Sequence, residues 1–243
     1  MLVAIAGKGG VGKTTLTAAL VRLLQSKSAR NFCVVDADPV GVLGALLGAE
    51  TRPSVAQIAE QSAVVNEAFA EKALAPMPGG GYLLRMGYPN SAGCFCRVNG
   101  VTKMLIAQIV MRFPLALVDN EAGLEHMTRG TSDAIDRLVL VADKSRASLD
   151  VARAALETAR LLGRLNGAAY LVVRGSETDA LVAVAQDLGL PEPYFIPDDP
   201  GVALAQMNGE PLPAFTTTMP LFGAVEAWLQ QRSVLNGALR RNA

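Results

Sequence analysis

The segment LVAIAGKGGVGKTT, residues 2–15, determines the expected fold. Leu2–Ala6 is a short apolar run of the kind that forms a strand buried on both faces. It leads directly into the glycine-rich stretch Gly7–Gly12, and then into Lys13 and Thr14, where a helix-like segment begins. This is the G-x-x-x-x-G-K-[ST] pattern in a strand–loop–helix context, whose glycines let successive backbone N–H groups converge on phosphate oxygens. The segment predicts a loop that binds the phosphates of ATP.

The residues of this loop have distinct expected contacts with the nucleotide. Lys13 is expected to neutralise the β- and γ-phosphates during catalysis, and the Thr14 hydroxyl is expected to ligate Mg²⁺. The partial positive charge at the start of the following helix adds to the attraction for phosphate. The predicted nucleotide-binding residues here are Gly7, Gly9, Gly10, Val11, Gly12, Lys13, Thr14 and Thr15.

Beyond the loop, strand-like runs alternate with helix-like segments. The predicted strands are Leu2–Ala6, Phe32–Val35, Tyr82–Met86, Leu115–Val118, Leu138–Ala142, Ala168–Val173 and Tyr194–Ile196. The predicted helices are Thr14–Gln25, Val98–Met111, Leu149–Leu162, Asp179–Leu188 and Leu221–Leu235, with two or three more between Gly41 and Gly81. This alternation predicts an α/β fold, a mostly parallel twisted sheet flanked by helices on both faces. We expect residues 1–243 to form a single P-loop ATPase domain.

Composition excludes several classes of protein. The 22 Lys and Arg residues balance the 22 Asp and Glu residues, so no overall positive field attracts nucleic acid or anionic lipid. A hydrophobic content of 51% is incompatible with disorder. Three cysteines cannot form a disulfide framework, so a cytoplasmic location is expected. A single histidine excludes a His-rich zinc site within one chain. No apolar run is long enough to cross a membrane, and the N-terminus lacks the basic region of a signal peptide.

Acidic residues follow two of the predicted strands. Asp36 and Asp38 come after Phe32–Val35, where they either face the ligand crevice at the carboxyl edge of the sheet or cap the next helix. Asp119 ends an apolar strand, as in a Walker B segment, and is expected on the magnesium side of the nucleotide. Gly123 follows, and its N–H can approach the γ-phosphate because no side chain blocks the way. The segment therefore predicts a switch that distinguishes ATP from ADP.

A C-x-C motif, Cys94 and Cys96, precedes the predicted helix Val98–Met111. Two thiolates supply half of a tetrahedral site, and a two-fold homodimer would supply four, a set suited to Zn²⁺, Ni²⁺ or an iron–sulfur cluster. The neighbouring Arg97 and helix N-terminus favour the thiolate form. Ordinary loop thiols and a redox disulfide are the alternatives. Cys33 lies within a predicted strand and is expected in the core.

Lys8 adds a further feature to the loop. The pattern K-G-G-x-G-K-T resembles the deviant Walker A ATPases, which include the nitrogenase iron protein, MinD, the partition ATPases, the arsenite pump ATPase and the nickel-insertion ATPases. This resemblance implies that Lys8 reaches across a homodimer interface to the partner's nucleotide. It also implies that Asp38 orients or deprotonates the attacking water, while Asp36 helps to hold the Mg²⁺ shell.

The run AGLEHMTRGT, residues 122–131, makes the resemblance more specific. Together with Lys8–Thr15, Asp36–Pro39 and the C-x-C motif, it resembles the CooC-type ATPases, which serve nickel insertion into carbon monoxide dehydrogenase. The resemblance implies a nucleotide-dependent homodimer that binds Ni²⁺ or Zn²⁺ through Cys94 and Cys96. ATP binding and hydrolysis would then be coupled to metal delivery to a client nickel enzyme. It suggests no role for Glu125 and His126.

The chain departs from these relatives at two places. Val173-Arg174 stands where relatives usually carry an Asn-Lys pair that helps to recognise adenine, and Val173 cannot hydrogen-bond a base. Purine selectivity is therefore expected either to be looser or to come from the backbone around Ile196–Asp198, including Pro197. Glu121 stands where relatives more often have Gly or Pro, and its carboxylate would repel the γ-phosphate unless it points away or pairs with a cation.

Two other functions account for part of the pattern. One is an ATP-gated iron–sulfur electron carrier resembling the nitrogenase iron protein, although no cysteine follows Cys96 to complete that pattern. The other is a positioning ATPase resembling MinD or the partition proteins, which explains Lys8 but gives the C-x-C motif no role. Neither stable membrane insertion nor nucleic-acid binding is expected.

Overall fold

A computed structural model of the chain describes residues 1–61, 67–88, 100–101, 104, 107–108, 111–121, 134–216 and 218–235. The strands are β1 (Leu2–Gly7), β2 (Phe32–Asp36), β3 (Ala75–Pro76), β4 (Tyr82–Arg85), β5 (Leu115–Asp119), β6 (Ile135–Ala142), β7 (Leu165–Arg174) and β8 (Pro193–Ile196). The helices are α1 (Lys13–Ser26), α2 (Leu43–Leu47), α3 (Val55–Gln61), α4 (Glu67–Ala73), α5 (Arg146–Leu161), α6 (Asp179–Asp187), α7 (Pro200–Met207) and α8 (Pro220–Arg232).

The described strands form one sheet in the order β3-β4-β2-β5-β1-β6-β7-β8. Neighbouring strands pair in parallel, except that the short edge strand β3 runs antiparallel to β4. Both edge strands are short and each contains a proline, Pro76 in β3 and Pro193 in β8. The order reverses around β1, which lies between β5 and β6. Ligands of open α/β sheets bind beyond the carboxyl ends of the strands at such a reversal.

Two hydrophobic cores lie on opposite faces of the sheet. Alternate residues of β1 divide between them, with Val3 and Ile5 in one core and Leu2, Ala4 and Ala6 in the other. This period of two is the expected result for a strand buried on both faces. Helices α1, α2, α7 and α8 cover the first core, whose largest fully buried side chain is Trp228. Helices α3, α4, α5 and α6 contribute to the second core.

The predicted fold class is confirmed, and each predicted strand is present with its bounds shifted by at most three residues. The sequence analysis missed β3, which is only two residues long, and helix α7. Helix α7 nevertheless has a recognisable start, because Asp199 caps it and Pro200 occupies its first turn. The last helix ends at Arg232 rather than at Leu235. Of the predicted helix Val98–Met111, the residues that the structure describes are helical.

No helix among the described residues combines the length and the apolar character needed to cross a membrane.

Candidate functional site

The glycine-rich loop joins β1 to α1 in a conformation that requires its glycines. Gly7 passes the backbone of β6 so closely that an added Cβ would lie 2.1 Å from the carbonyl oxygen of Val141. Gly12 has a φ of 101°, in the left-handed region that side chains disfavour. No side chain among the described residues caps α1 at Gly12. The N–H groups of the first turn are therefore available to an anion.

The two lysines of the loop differ in environment. The Lys13 side chain is buried, and its Nζ donates to the carbonyl oxygen of Lys8 at 3.0 Å. Burial lowers the pKa of Lys13, while the carboxylates of Asp119, Asp38 and Glu121 act in the opposite direction. Lys8 is exposed. Lys13 is thus held within the loop, whereas Lys8 lies at its outer surface.

Glu121 departs from the family pattern, and its carboxylate lies close enough to Lys13 to favour the charged ammonium. Among the three carboxylates that act on Lys13, Glu121 has a smaller effect than Asp119 and Asp38.

Strand register brings two carboxylates together at the carboxyl edge of the sheet. Asp36 at the end of β2 is the direct neighbour of Asp119 at the end of β5, and each is only 1% exposed. Burial raises the pKa of Asp36 to about 7, and the nearby charge of Asp119 adds to this rise. Burial also raises the pKa of Asp119 to about 6, although the nearby Thr14 and Thr17 hydroxyls and Lys13 favour its ionised form. Two buried carboxylates side by side are unfavourable when ionised unless a bound cation compensates their charge.

The buried carboxylate oxygens at this edge fit a magnesium ion. Oδ1 of Asp36 and both carboxylate oxygens of Asp119 have no hydrogen-bond partner in the described part of the chain. Within those residues, no group of three or more His, Cys, Asp or Glu side chains is placed to hold a metal. Mg²⁺ commonly takes one or two carboxylates and completes its shell with phosphate oxygens and water. Thr14, Asp36 and Asp119 are the residues that would hold it.

The segment after β2 is shaped around Asp36. Oδ2 of Asp36 accepts from the backbone N–H of Leu43 at 3.3 Å, and a Cβ added to Gly41 would lie 2.1 Å from the carboxylate. Asp38 is half-buried, and its Oδ1 accepts from the N–H of Val40 at 2.9 Å. Asp36 thus helps to anchor the start of α2, the structural alternative considered for this pair, while also facing Asp119.

Two polar residues of the site were missed in the sequence. Thr17 is fully buried, faces Asp119 and donates from Oγ1 to the carbonyl oxygen of Lys13 at 2.9 Å. Asn120 is buried and donates from Nδ2 to the carbonyl oxygen of Ile5 at 2.9 Å. Asn120 follows the Walker B strand directly, so its position at a strand end was a usable signal. No sequence signal pointed to Thr17, because its position is typical of an ordinary residue within a helix.

A cavity of about 220 Å³ continues from the phosphate loop. Its walls come from the loop and α1, from the ends of β6, β7 and β8, and from α7. The lining includes Val11, Gly12, Thr15, Leu16, Val141, Val172, Arg174, Ile196, Pro197, Asp198, Val202, Ala203 and Gln206. A mostly apolar cleft with a few polar groups beside a phosphate-binding loop suits a nucleotide base.

The structure places the remaining predicted residues as follows. Gly9, Gly10 and Thr15 lie in or directly after the loop, and Pro197 lies in the cavity wall. Cys33 is fully buried in β2, and burial raises the pKa of its thiol. Cys94, Cys96 and Gly123 lie outside the described residues, as do Arg97, Glu125 and His126.

Comparison with known proteins identifies the family. Residues 2–212 match the CobQ/CobB/MinD/ParA nucleotide-binding domain. The chain belongs to this family. Its relatives include ATP-binding proteins, so the chain belongs to a nucleotide-binding P-loop ATPase family. Within the family, the chain is 31% identical to an ATP-binding protein of Methanocaldococcus jannaschii of uncharacterised function, over 87% of this chain and 90% of that protein.

Another relative has a named function. The chain is 32% identical to the carbon monoxide dehydrogenase accessory protein CooC of Rhodospirillum rubrum, over 67% of this chain and 70% of that protein. Among solved structures, MinD of Aquifex aeolicus matches with a TM-score of 0.72 and 21% identity, covering 96% of each chain. MinD of Pyrococcus horikoshii in complex with Mg-ADP matches with a TM-score of 0.70 and 18% identity, also covering 96% of each chain. These structural matches establish the fold.

Proposed function

We propose that this protein is a homodimerising ATPase metallochaperone. It binds Ni²⁺ or Zn²⁺ through Cys94 and Cys96 of two chains, and couples ATP binding and hydrolysis to metal insertion into a client such as carbon monoxide dehydrogenase. The similarity to CooC supports the client and the cargo. The C-x-C motif supports the choice of metal, because thiolates select Zn²⁺ and other soft cations.

The contrast between the two loop lysines carries the dimer part of the proposal. Lys13 is turned inward, with its Nζ on the Lys8 carbonyl oxygen, and supplies the positive charge for the phosphates bound by its own chain. Lys8 is exposed at the outside of the same loop. An exposed cation beside a triphosphate site can neutralise charge on a nucleotide bound by a second copy.

In this proposal, ATP is hydrolysed by residues at the carboxyl edge of the sheet. Mg²⁺, when bound, supplies positive charge that stabilises the phosphates during transfer. Asp36 and Asp119 offer the buried carboxylates, and Thr14 offers a hydroxyl. Asp38 is half-buried at the same edge, where its carboxylate can orient the attacking water or accept its proton.

Metal analysis combined with mass measurement tests the proposal. Anaerobically purified protein should carry one metal ion per dimer, and either Cys94→Ala or Cys96→Ala should remove it. Cys33→Ala is the matched control, since that thiol is fully buried in β2. Unchanged metal content in both C-x-C variants would contradict the metal site.

The role of Lys8 has its own experiment. Lys8→Ala should still bind ATP through its own loop, but it should lose ATP-dependent dimerisation and most of its ATPase activity. Lys27→Ala is the control. Lys27 is a half-exposed lysine directly after the end of α1, and it pairs with Glu226 on α8. A Lys8→Ala protein that dimerises and hydrolyses ATP like the parent would refute the shared site.

A positioning ATPase of the MinD type is the second candidate. The matches to MinD structures across 96% of the chain favour it at the level of fold. ATP-dependent co-sedimentation with liposomes, unaffected by Cys94→Ala, would support this candidate over the metallochaperone.

A further inference from the structure

Another cleft lies between the carboxyl end of β4 and the segment that leads into α3, and β2 and β5 separate it from β1. Its volume is about 580 Å³, a size typical of sites for small organic ligands. The polar residues that line it are Thr51, Arg52, Ser54, Gln57, Arg85 and Tyr88. No carboxylate is among the described residues of this lining, so two guanidinium groups determine its charge.

Arg85 is the last residue of β4 and is the direct neighbour of Asp36 in the sheet. Its stem passes close to α2, because a Cβ added to Gly44 would lie 3.3 Å from Cδ of Arg85. Nη2 of Arg85 donates to the carbonyl oxygen of Arg52 at 2.5 Å. The guanidinium is thus held at the cleft with one of its five N–H donors engaged, and no carboxylate in the described part of the chain pairs with the others.

Arg52 brings a second guanidinium to the same cleft. Its side chain is 46% exposed, and its Nη2 lies 3.2 Å from a carboxylate oxygen of Glu50, which is also exposed. Exposed ion pairs of this kind contribute little to stability. Arg52 can therefore exchange Glu50 for a charged ligand at small cost.

Ser54 and Gln57 contribute further donors. The N–H of Ser54 donates to Oε1 of Gln57 at 2.9 Å, and the N–H of Gln57 donates to Oγ of Ser54 at 3.3 Å. Both side-chain oxygens thus accept from the backbone, while Nε2 of Gln57 and the hydroxyl hydrogen of Ser54 are the donors that these two bonds do not use. Gly87 makes room for this pair, because a Cβ there would lie 2.3 Å from Oγ of Ser54.

A cleft rich in donors, with two guanidinium groups, is complementary to an oxyanion. A phosphate monoester carries nearly two negative charges at pH 7 and presents three acceptor oxygens, so it balances both arginines. A single carboxylate balances only one of them. Tyr88 is 50% exposed in the same lining, and its ring offers a surface for the organic part of such a ligand.

We infer that this cleft is a binding site for a small organic phosphate monoester. Arg52 and Arg85 hold the phosphate group, Ser54 and Gln57 donate further hydrogen bonds to it, and the organic part packs on Tyr88. The cleft shares no lining residue with the cavity beside the phosphate loop, so the two sites are separate. The inference does not rest on the proposed metallochaperone function.

Calorimetric titration of the full chain with phenyl phosphate tests this inference. Mg-ADP is present in excess, so that the phosphate loop is occupied and the probe reports on the cleft. Arg52→Gln and Arg85→Gln should each weaken binding about tenfold, because each removes one charge-assisted contact with the phosphate. Benzoate has the same ring but a single negative charge, and it should bind about tenfold more weakly than phenyl phosphate.

Arg153→Gln is the matched control, since Arg153 forms an exposed ion pair with Glu157 on α5, and it should bind phenyl phosphate like the parent. Arg52→Gln keeps the test decisive if Arg85→Gln does not fold, because Arg52 is half exposed. Binding that disappears when Mg-ADP is present would assign the probe to the phosphate loop and overturn the inference. Unchanged affinity in Arg52→Gln, or equal affinity for benzoate, would also overturn it. Metal content and dimerisation are measured without this probe, so the proposed metallochaperone function stands or fails separately.

Discussion

The phosphate half and the base half of the nucleotide site are built differently. The phosphate half consists of consecutive residues, Gly7–Thr15, whose backbone conformation is enforced by contacts such as that between Gly7 and Val141. The base half is assembled from distant segments, with Arg174 at the end of β7, Pro197 after β8 and Gln206 on α7. One half depends on backbone geometry and buried charge, and the other on side chains at an open mouth.

This difference separates general affinity from selectivity. Backbone N–H groups and buried acids act on phosphate and magnesium, which every nucleoside triphosphate shares. The exposed side chains of the base half meet the part of the ligand that varies. Substitutions in the first half should therefore affect all nucleotides alike and strongly, whereas substitutions in the second should have smaller effects that depend on the base.

Lys13→Ala should produce the largest loss. The variant removes the buried cation of the loop and leaves Asp119, Asp38 and Glu121 without it. Affinity for ATP and for GTP should fall about a thousandfold, equally for both, as measured by calorimetric titration. Lys27→Ala serves as the control. Unequal losses for the two nucleotides would show that the phosphate half also selects the base.

The buried acids predict a pH dependence of intermediate size. Asp36 has a pKa of about 7 in the folded protein against an ordinary value of 3.8. As the pH rises, the Asp36 carboxyl group therefore loses its proton at a lower pH in the unfolded chain than in the folded protein. The free energy of unfolding without Mg²⁺ should fall as the pH rises from 4 to 7. This rise of the Asp36 pKa from 3.8 to about 7 corresponds to a contribution on the order of 4 kcal/mol. Denaturant unfolding at several pH values checks this.

Asp36→Asn should remove this part of the pH dependence and stabilise the metal-free protein at pH 8, because no buried charge forms. Asp187→Asn, at an exposed position at the end of α6, is the control. Retention of the full pH dependence in Asp36→Asn would place its origin elsewhere.

Ala203→Phe should have the smallest effect, confined to the base half. Ala203 lines the cavity, and a phenyl group there would occupy part of the space for the base. We expect about a tenfold loss of affinity for ATP and no change for inorganic triphosphate, measured by competition. Leu204→Phe, one position along α7 and exposed, is the control. An equal loss for inorganic triphosphate would contradict the division into two halves.

The two halves also differed in how well the sequence predicted them. The loop could be identified because its glycines and Lys13 are consecutive, and Asp36 and Asp119 because each ends an apolar strand in a parallel sheet. Their direct pairing required the strand order, which the sequence does not contain. Burial raises the pKa of both carboxyl groups, and the nearby charge of Asp119 adds to the rise for Asp36.

In the base half, the sequence pointed to Pro197 only through comparison with relatives, and Arg174 was noted only as part of a departure from their Asn-Lys pair. Gln206 went unnoticed, because α7 carries no clear polar and apolar stripe and was not predicted as a helix. Its contact with Thr15 joins residues 191 positions apart. Contacts of that range depend on tertiary packing, and no local pattern encodes them.

The prolines at the two ends of the sheet restrict how copies of the protein can associate. Pro76 and Pro193 each remove a backbone donor from an outermost strand, and both of those strands are short. Joining a further strand from another molecule is therefore disfavoured at either side. We therefore expect the proposed homodimer to form without extending the sheet from one chain into the other.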